Sequence, residues 1–228
     1  MLQLTHLHKS FHESNGSTRQ VFDDADFRLL PHEKSLAVVG RSGAGKSTLL
    51  RILSGLDQQF EGLYSFKGAP LAQNESEMAA FRRDHVGIVT QRYELLPHRS
   101  LLNNVMLGAV SPRTTREDAE HYLDLVGLSD SKRKKVRELS GGEAQRVAIA
   151  RALVKNPDFV FADEPTGALD EATEDAVLGI FQRLQGEGVR FVIATHSNKV
   201  KSVCERVVRV HNYKLVDDPI GKQHHHNQ

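Results

Sequence analysis

The residues best suited to chemistry form one short stretch, GRSGAGKS, from Gly40 to Ser47. Its spacing fits the pattern G-x-x-x-x-G-K-[ST], and it lies between an apolar strand pattern and a helical one. Glycines in such a loop let successive backbone N–H groups face a β-phosphate. Lys46 can bridge β- and γ-phosphates, and the Ser47 hydroxyl can ligate Mg²⁺. The candidate binding residues for a nucleoside triphosphate are Gly40, Arg41, Ser42, Gly43, Ala44, Gly45, Lys46, Ser47 and Thr48.

A second stretch, FVFADE, supplies carboxylates. Its buried run ends in Asp163 and Glu164, so both side chains would emerge at the carboxyl end of a parallel strand, where open α/β sheets place their sites. Asp163 suits the Mg²⁺ shell, and Glu164 suits a general base that polarises the attacking water. The alternative, that both carboxylates merely cap the next helix, is disfavoured because Pro165 follows directly.

Three single residues could complete this site. Gln91 ends a strand pattern and could reach Mg²⁺ or the attacking water, although a Gln there is more often a loop residue. His196 follows Thr195 at another strand end and could hold the γ-phosphate, although a lone His is more often structural. Phe11 could stack on an adenine ring, although an aromatic residue near an edge strand more often belongs to the core. All three fall where a sheet around the phosphate loop would place them, which favours the functional interpretation.

The stretch LSGGEAQR, from Leu139 to Arg146, has the features of half a phosphate site. Ser140, Gly141 and Gly142 run into the helical pattern EAQRVAIARALV, and the free N–H groups of a helix N-terminus attract anions. The stretch has no lysine, and a complete phosphate loop already lies far upstream. A second, incomplete site therefore needs a separate explanation.

Composition bounds the class of protein. The 228 residues suffice for one large domain, or for one domain with a subdomain. Lys and Arg number 30 against 29 Asp and Glu, so overall charge gives no reason to expect nucleic acid or an anionic membrane as partner. No apolar run approaches the roughly 20 residues of a membrane-spanning helix, and the first residues do not fit a signal peptide. The single cysteine, Cys204, fits a reducing compartment, so we expect a cytoplasmic protein.

Apolar strand patterns alternate with amphipathic helices, which is typical of a mostly parallel sheet covered by helices. Looser alternation before Pro31 predicts an antiparallel layer, and Arg206–Val216 predicts a hairpin that turns at Asn212. Helical periodicity replaces the strand pattern between Arg92 and Leu153. The prediction is an α/β fold: a P-loop NTPase core with a mostly parallel sheet, an N-terminal antiparallel β layer and an inserted α-helical subdomain at about 92–153. The core strand patterns are Ser35–Gly40, His85–Gln91, Asp158–Pro165 and Val189–Ser197.

With these motifs in order, the chain resembles the nucleotide-binding subunits of ABC transporters over nearly its whole length. GRSGAGKS is similar to the Walker A motif, FVFADE to Walker B, and LSGGE to the family signature. Gln91 resembles the Q-loop, Gly167–Asp170 the D-loop, and His196 the switch histidine. Phe11 stands at the adenine-stacking position, where many relatives carry tyrosine. The resemblance implies an ATPase that uses ATP and Mg²⁺. The implied catalytic residues are Lys46, Gln91, Glu164 and His196, and the implied metal ligands are Ser47, Gln91 and Asp163.

The resemblance also accounts for the half-site. In this family two subunits associate head to tail, and the signature loop of each closes over the nucleotide held by the other. Ser140 and the backbone N–H groups of Gly141 and Gly142 would then contact the γ-phosphate in trans, and Asp170 would cross the same interface. No lysine is needed, because the other subunit supplies Lys46. The implied partners are a second copy of this chain and a separate transmembrane permease, without nucleic acid.

Two stretches narrow the resemblance to a subgroup. ADEPTGALD, and RYELLPHRSLLNNVMLG after Gln91, are similar to the lipoprotein-releasing (LolD), macrolide-exporting (MacB) and FtsE-type subunits. Gly167 stands where many importers carry serine, whereas Ala168 and Ser197 depart from the subgroup. This implies an exporter subunit, peripheral on the cytoplasmic face of the inner membrane, that drives export or extraction of a peptide, lipoprotein, drug or haem. An importer subunit, an ABC ATPase acting on DNA or ribosomes, and a non-catalytic scaffold are the alternatives.

Three other segments carry weaker expectations. Tyr93–Leu96 would line a groove for a permease helix, or belong to the core of the helical subdomain. The basic run Lys132–Lys135 would be a solvated face, or a contact with lipid headgroups or permease. We expect one ABC ATPase domain over 1–218 and a disordered tail over 219–228, whose three histidines could form a weak metal patch.

Overall fold

The structure is a computed structural model that describes residues 1–14, 16–109 and 114–218. The strands are β1 (Leu2–His12), β2 (Thr18–Leu29), β3 (Ser35–Val39), β4 (Glu61–Phe66), β5 (Ala69–Pro70), β6 (Val86–Val89), β7 (Phe159–Asp163), β8 (Arg190–Ala194), β9 (Arg206–His211) and β10 (Lys214–Asp218). The helices are α1 (Lys46–Leu53), α2 (Glu75–His85), α3 (Leu101–Met106), α4 (Arg116–Leu125), α5 (Gly141–Leu153), α6 (Glu171–Gly186) and α7 (Asn198–Val203). The expected tail over 219–228, with its three histidines, lies outside the described residues.

Two sheets organise these elements. The larger sheet has the order β10-β9-β3-β8-β7-β6, and its strands are parallel except for β10. The smaller sheet, β2-β1-β4-β5, is antiparallel. The mostly parallel core sheet and the N-terminal antiparallel layer are therefore confirmed.

The central strands of the larger sheet are buried on both faces, as their continuous apolar sequences require. Alternate residues of β3 enter different cores, because successive side chains of a strand point to opposite faces. Leu36 and Val38 pack with the antiparallel layer and α1, whereas Ala37 and Val39 pack with the helices of the other face. The sheet is thus held between two hydrophobic cores.

The smaller sheet covers one of those cores with the buried residues Leu2, Leu4 and Leu7 of β1. Strands β4 and β5 and helix α2 were not predicted from the sequence. The start of α2 carries a local signal all the same, since the Asn74 side chain accepts a hydrogen bond from the Glu77 N–H and caps the helix.

Between β6 and β7 the described residues contain the helices α3, α4 and α5 and no strand, which confirms the inserted helical layer. The buried Asn104 organises the chain that leads into it. Its Oδ1 accepts from the Leu96 N–H at 2.7 Å, and its Nδ2 donates to the carbonyls of Leu96 and Ser100 at 3.1 and 3.0 Å. Of the basic run, Lys132 pairs with Glu120 at 2.6 Å, and the next three residues are exposed.

The hairpin β9–β10 turns through Asn212 and Tyr213, whose φ angles are 46° and 62°. Two consecutive left-handed residues are typical of the tight turn that matches the twist of paired strands. The predicted strands that precede the polar residues Gln91 and His196 end earlier than expected, at Val89 and Ala194. Both side chains therefore stand on turns just beyond the sheet.

Candidate functional site

The phosphate loop leads from β3 into α1 and ends in a left-handed glycine. Gly45 has a φ of 111°, and a Cβ placed there would lie 2.5 Å from Val21 Cγ1 of the neighbouring strand β2. Any larger residue would be strained and would collide with that strand. The turn begins α1 directly at Lys46, so the N–H groups of the first helical turn have no partner within the helix. Such a terminus can bind phosphate.

These N–H groups border a cavity of about 400 Å³. Its walls come from β2, the phosphate loop and the segments that follow β6, β7 and β8. Of the sequence-predicted site residues, it brings together Ser42, Gly43, Gly45, Lys46, Ser47, Thr48, Gln91, Asp163, Glu164 and His196. Arg19, Val21 and Gly167 also line it and were not among the predicted site residues. Residues separated by up to 177 positions thus meet in one concave site.

Lys46 is buried and held by its own loop. Its Nζ donates to the carbonyls of Gly40 and Arg41 at 3.1 and 3.4 Å, and lies 3.0 Å from His196 Nε2. A buried ammonium is stable only where such oxygen or nitrogen partners surround it. The loop therefore fixes a positive charge at the start of α1.

Glu164 has an unusual backbone, with a φ of 47° directly before Pro165. Its N–H donates to the Ala194 carbonyl at 2.9 Å, and its Oε2 accepts from the His196 N–H at 3.2 Å. Oε1 is buried and lies 3.3 Å from His196 Nε2, yet it makes no hydrogen bond with any described residue. Left-handed non-glycine residues and unsatisfied buried carboxylate oxygens are costly, and they gather at functional sites.

The cavity also gathers oxygen ligands of the type that Mg²⁺ prefers. Ser47 supplies a hydroxyl, Gln91 an amide oxygen and Asp163 a carboxylate, and all three line the same cavity as Lys46. Mg²⁺ usually takes one or two carboxylates together with phosphate oxygens and water. Among the described residues no cluster of three His, Cys, Asp or Glu side chains could hold a metal. The mixed donor set at the phosphate loop fits Mg²⁺ on chemical grounds.

Phe11 does not line the cavity but lies at its border. It is the last residue but one of β1 and pairs across the sheet with Arg19, which does line the cavity. Its ring is partly buried against the core, and Lys9 Nζ lies 4.7 Å from the ring centroid. The position of Phe11 is compatible with both expectations, packing in the core and stacking on an adenine ring.

The three signature residues lie away from the cavity, at the N-terminus of α5. Ser140 Oγ accepts from the Glu143 N–H at 3.3 Å, and Glu143 Oε2 accepts from the Ser140 N–H at 2.8 Å. This capping box gives the serine and the glutamate a local structural role at the start of α5. The hydrogen bond from the Ser140 backbone lowers the pKa of the Glu143 carboxyl.

Asp170 caps the N-terminus of α6. Its carboxylate accepts hydrogen bonds from the hydroxyl and the N–H of Thr173 at 2.7 and 3.0 Å. These two bonds lower the pKa of the Asp170 carboxyl. Thr173 also touches the signature segment, because a Cβ on Gly142 would lie 2.3 Å from Thr173 Cγ2. The signature residues and the α6 N-terminus therefore form one surface, and neither Ser140–Gly142 nor Asp170 lines the cavity of its own chain.

The family model described as "ABC transporter" matches residues 22–167. Among curated relatives, the ABC transporter ATP-binding protein YknY of Bacillus subtilis is 36% identical, covering 98% of each chain. One of Mycobacterium tuberculosis is 40% identical over 95% of this chain and 89% of its own length. The macrolide export ATP-binding/permease protein MacB of Hahella chejuensis is 36% identical over 97% of this chain. This chain covers 34% of that MacB, about a third of its length.

Solved structures agree in fold. The ABC transporter cassette MJ0796, determined as a dimer, superposes with a TM-score of 0.85 at 31% identity, covering 96% of this chain and 98% of its own. The same cassette is known in a post-hydrolysis state bound to ADP and Pi, with a TM-score of 0.85 at 30% identity. The cassette cbiO1 of Clostridium perfringens, part of the complex cbiONQ, has a TM-score of 0.81 at 27% identity.

The contact between Gly142 and Thr173 leads to a stability prediction. Gly142→Ala places a methyl group against a β-branched side chain whose hydroxyl is bonded to Asp170, so we expect a loss of about 1–2 kcal/mol in the free energy of unfolding. Gly141→Ala is the matched control, because a Cβ there meets no atom within 4 Å. Urea denaturation of both variants measures the difference, and equal stabilities would contradict the close approach of α5 and α6.

Proposed function

The chain belongs to the ABC transporter family as an ATP-binding, ATP-hydrolysing subunit, and from this premise we propose how its residues divide the work. One observation carries the proposal. A single cavity unites the phosphate loop with polar residues that follow three neighbouring parallel strands, namely Gln91, Asp163, Glu164 and His196. A nucleotide bound there would meet charge, metal ligands and a base within one site.

We propose that the phosphate loop, from Gly40 to Thr48, holds the phosphates of ATP with its backbone N–H groups, and that Lys46 neutralises their charge. The backbone of the loop would curve around the phosphates through the residues between Gly40 and Lys46, namely Arg41, Ser42, Gly43, Ala44 and Gly45. Ser47, Gln91 and Asp163 would hold Mg²⁺, which offsets the charge of the phosphate oxygens. Phe11 would support the adenine ring from the border of the cavity.

Hydrolysis needs a base beside the attacking water. Glu164 suits this role, because the residue lines the cavity and its buried Oε1 keeps an unused acceptor position. His196 Nε2 lies between that carboxylate and Lys46 Nζ, at 3.3 and 3.0 Å. We propose that this imidazole senses the γ-phosphate, since it stands between the group that binds phosphate and the group that activates water.

The second half-site supports a head-to-tail dimer. Ser140, Gly141, Gly142 and Asp170 share one surface that does not border the cavity of their own chain. The backbone N–H groups of Gly141 and Gly142, in the first turn of α5, are of the kind that suits an anion. We propose that they reach the nucleotide held by a second copy, so that ATP joins the two subunits. The solved dimer of the related cassette MJ0796 adds support.

No helix among the described residues is long and apolar enough to cross a membrane. A second cavity, of about 280 Å³, lies beside the first and shares Ser47, Gln91 and Asp163 with it. Leu56 borders this groove and is 41% exposed. Leu96 is 42% exposed and follows two residues after Glu94, which also borders the groove. Leu95, by contrast, packs into the core of the helical face. We propose that the groove and Leu96 receive a permease, because shared residues would link its movement to the nucleotide.

The relatives support a proposal for the direction of transport. The MacB proteins carry macrolide export in their names, and we propose an exporter subunit, peripheral on the membrane, for a hydrophobic or amphipathic substrate. We further propose one ATPase domain over 1–218 with a helical subdomain at about 92–153. An importer subunit is the second candidate, and the nature of the permease decides between them.

Glu164→Gln tests the assignment of the base. The substitution keeps the shape and removes the charge, so we expect turnover to fall by roughly 10²–10⁴-fold, the usual contribution of a positioned base, while ATP-bound dimer accumulates. Glu171→Gln makes the same change on an exposed residue of α6 outside the cavity and serves as the control. Steady-state ATPase rates and sedimentation with ATP measure both effects. Near-normal turnover of Glu164→Gln would remove Glu164 from the mechanism.

Leu96→Gln tests the permease surface. We expect the wild-type chain, captured from its native membranes in mild detergent, to retain a multispanning membrane protein, and the variant to lose most of it. Leu63→Gln is the control, because Leu63 is 70% exposed and lies on β4 of the smaller, antiparallel sheet. Mass spectrometry of the captured proteins measures retention and identifies the permease type. Equal retention by both variants would place the partner elsewhere, and a permease with a solute-binding protein would favour the importer.

A further inference from the structure

One lysine and one arginine line the nucleotide cavity in the described part of the chain, and the phosphate loop accounts for only the lysine. Lys46 stands at the start of α1, whereas Arg19 comes from β2 on the other wall. Arg19 and Val21 both line the cavity, as expected of alternate residues on one face of a strand. Because Val21 abuts Gly45, Arg19 lies about 7 Å further along the strand from the phosphate loop.

Arg19 also lies beside Phe11, the proposed support for the adenine ring. It pairs with Phe11 across the sheet, and its guanidinium carbon is 5.6 Å from the centroid of the Phe11 ring. A nucleotide that extends from the phosphate loop to Phe11 would therefore pass Arg19 between its terminal phosphates and its base. The phosphate next to the ribose is the anionic group in that part of the molecule.

The surroundings of Arg19 leave its charge available. Its side chain is 53% exposed, and its ion pair with Glu13 spans 3.9 Å from Nε to Oε1. So long a pair at the surface contributes little. Lys9, the other cation near Phe11, differs: its side chain is 2% exposed, and its Nζ is bound to Asp57 at 2.8 Å. Lys9 is committed to the fold, and Arg19 can turn toward a ligand.

We propose that Arg19 is a nucleotide-binding residue whose guanidinium donates to the phosphate next to the ribose. This inference rests on the proposed nucleotide site. A guanidinium offers several N–H donors in a plane and no acceptor, which suits phosphate oxygens. The cavity also holds the carboxylates of Asp163 and Glu164, which repel a polyphosphate, and a second cation on the far wall offsets part of that repulsion.

The test measures ADP binding by isothermal titration calorimetry, so that hydrolysis does not interfere. Arg19→Gln should weaken binding by roughly ten- to a hundred-fold, the contribution of a hydrogen bond to a charged group. Arg28→Gln is the matched control, since Arg28 is an exposed arginine of the same strand that borders a different cavity. Arg19→Lys keeps the charge but lacks the planar set of donors, so its affinity should lie between those of the wild type and Arg19→Gln. The loss in Arg19→Gln should shrink as NaCl screens the contact.

Three results would overturn the inference. Arg19→Gln could bind ADP as tightly as Arg28→Gln does, or its loss could be independent of salt. Alternatively, Arg19→Lys could lose as much as Arg19→Gln, which would indicate packing against the base instead of phosphate binding. Lys46→Ala separates this inference from the proposed function. If Lys46→Ala abolishes binding and Arg19→Gln does not weaken it, only the role of Arg19 fails, whereas unchanged binding in Lys46→Ala refutes the nucleotide site itself.

Discussion

The parallel register of four neighbouring strands is the constraint on which the site depends. Val38 of β3 and Asp163 of β7 both pair with Ala194 of β8, and Val89 of β6 pairs with Ala162. These strands therefore end level with one another, and the residues that follow them emerge at one edge of the sheet. A slip of one residue would exchange the two faces of a strand, and both hydrophobic cores oppose it because alternate side chains are buried on each side.

The helix N-termini of this chain fall into two kinds. At α1 a left-handed glycine leaves the terminal N–H groups bordering the cavity of the same chain. At α5 and α6 the caps Ser140 and Asp170 belong to segments that touch each other through Gly142 and Thr173. The α1 N-terminus, which has no side-chain cap, thus lies at the cavity of its own chain, whereas the capping residues of α5 and α6 lie away from that cavity.

The sequence predicted most of the core because its signals are local. The phosphate loop is contiguous, and the strands that end in Asp163 and Ala194 are short apolar runs. What it missed depends on contacts distant in sequence. Strand β4 is stabilised by pairing with β1, from which it is separated by about 50 residues. Arg19 becomes a cavity residue only through the pairing of β1 with β2, and no spacing pattern in the sequence marks it. Within Tyr93–Leu96, Leu95 is partly buried against the core, which fits the prediction of core packing, and Leu96 is exposed, which fits the prediction of a partner surface.

The central claim is that each ATP site is shared between two copies, and mixing two inactive variants tests it most directly. Lys46→Ala removes the phosphate-loop charge, and Ser140→Arg blocks the signature surface, so each variant alone should hydrolyse little ATP. In an equimolar mixture half of the dimers are mixed, and each mixed dimer contains one intact site of two, so the ATPase rate should recover to about a quarter of the wild-type rate per chain. A mixture that stays as inactive as its separate components, while wild-type protein is active, would contradict the shared site.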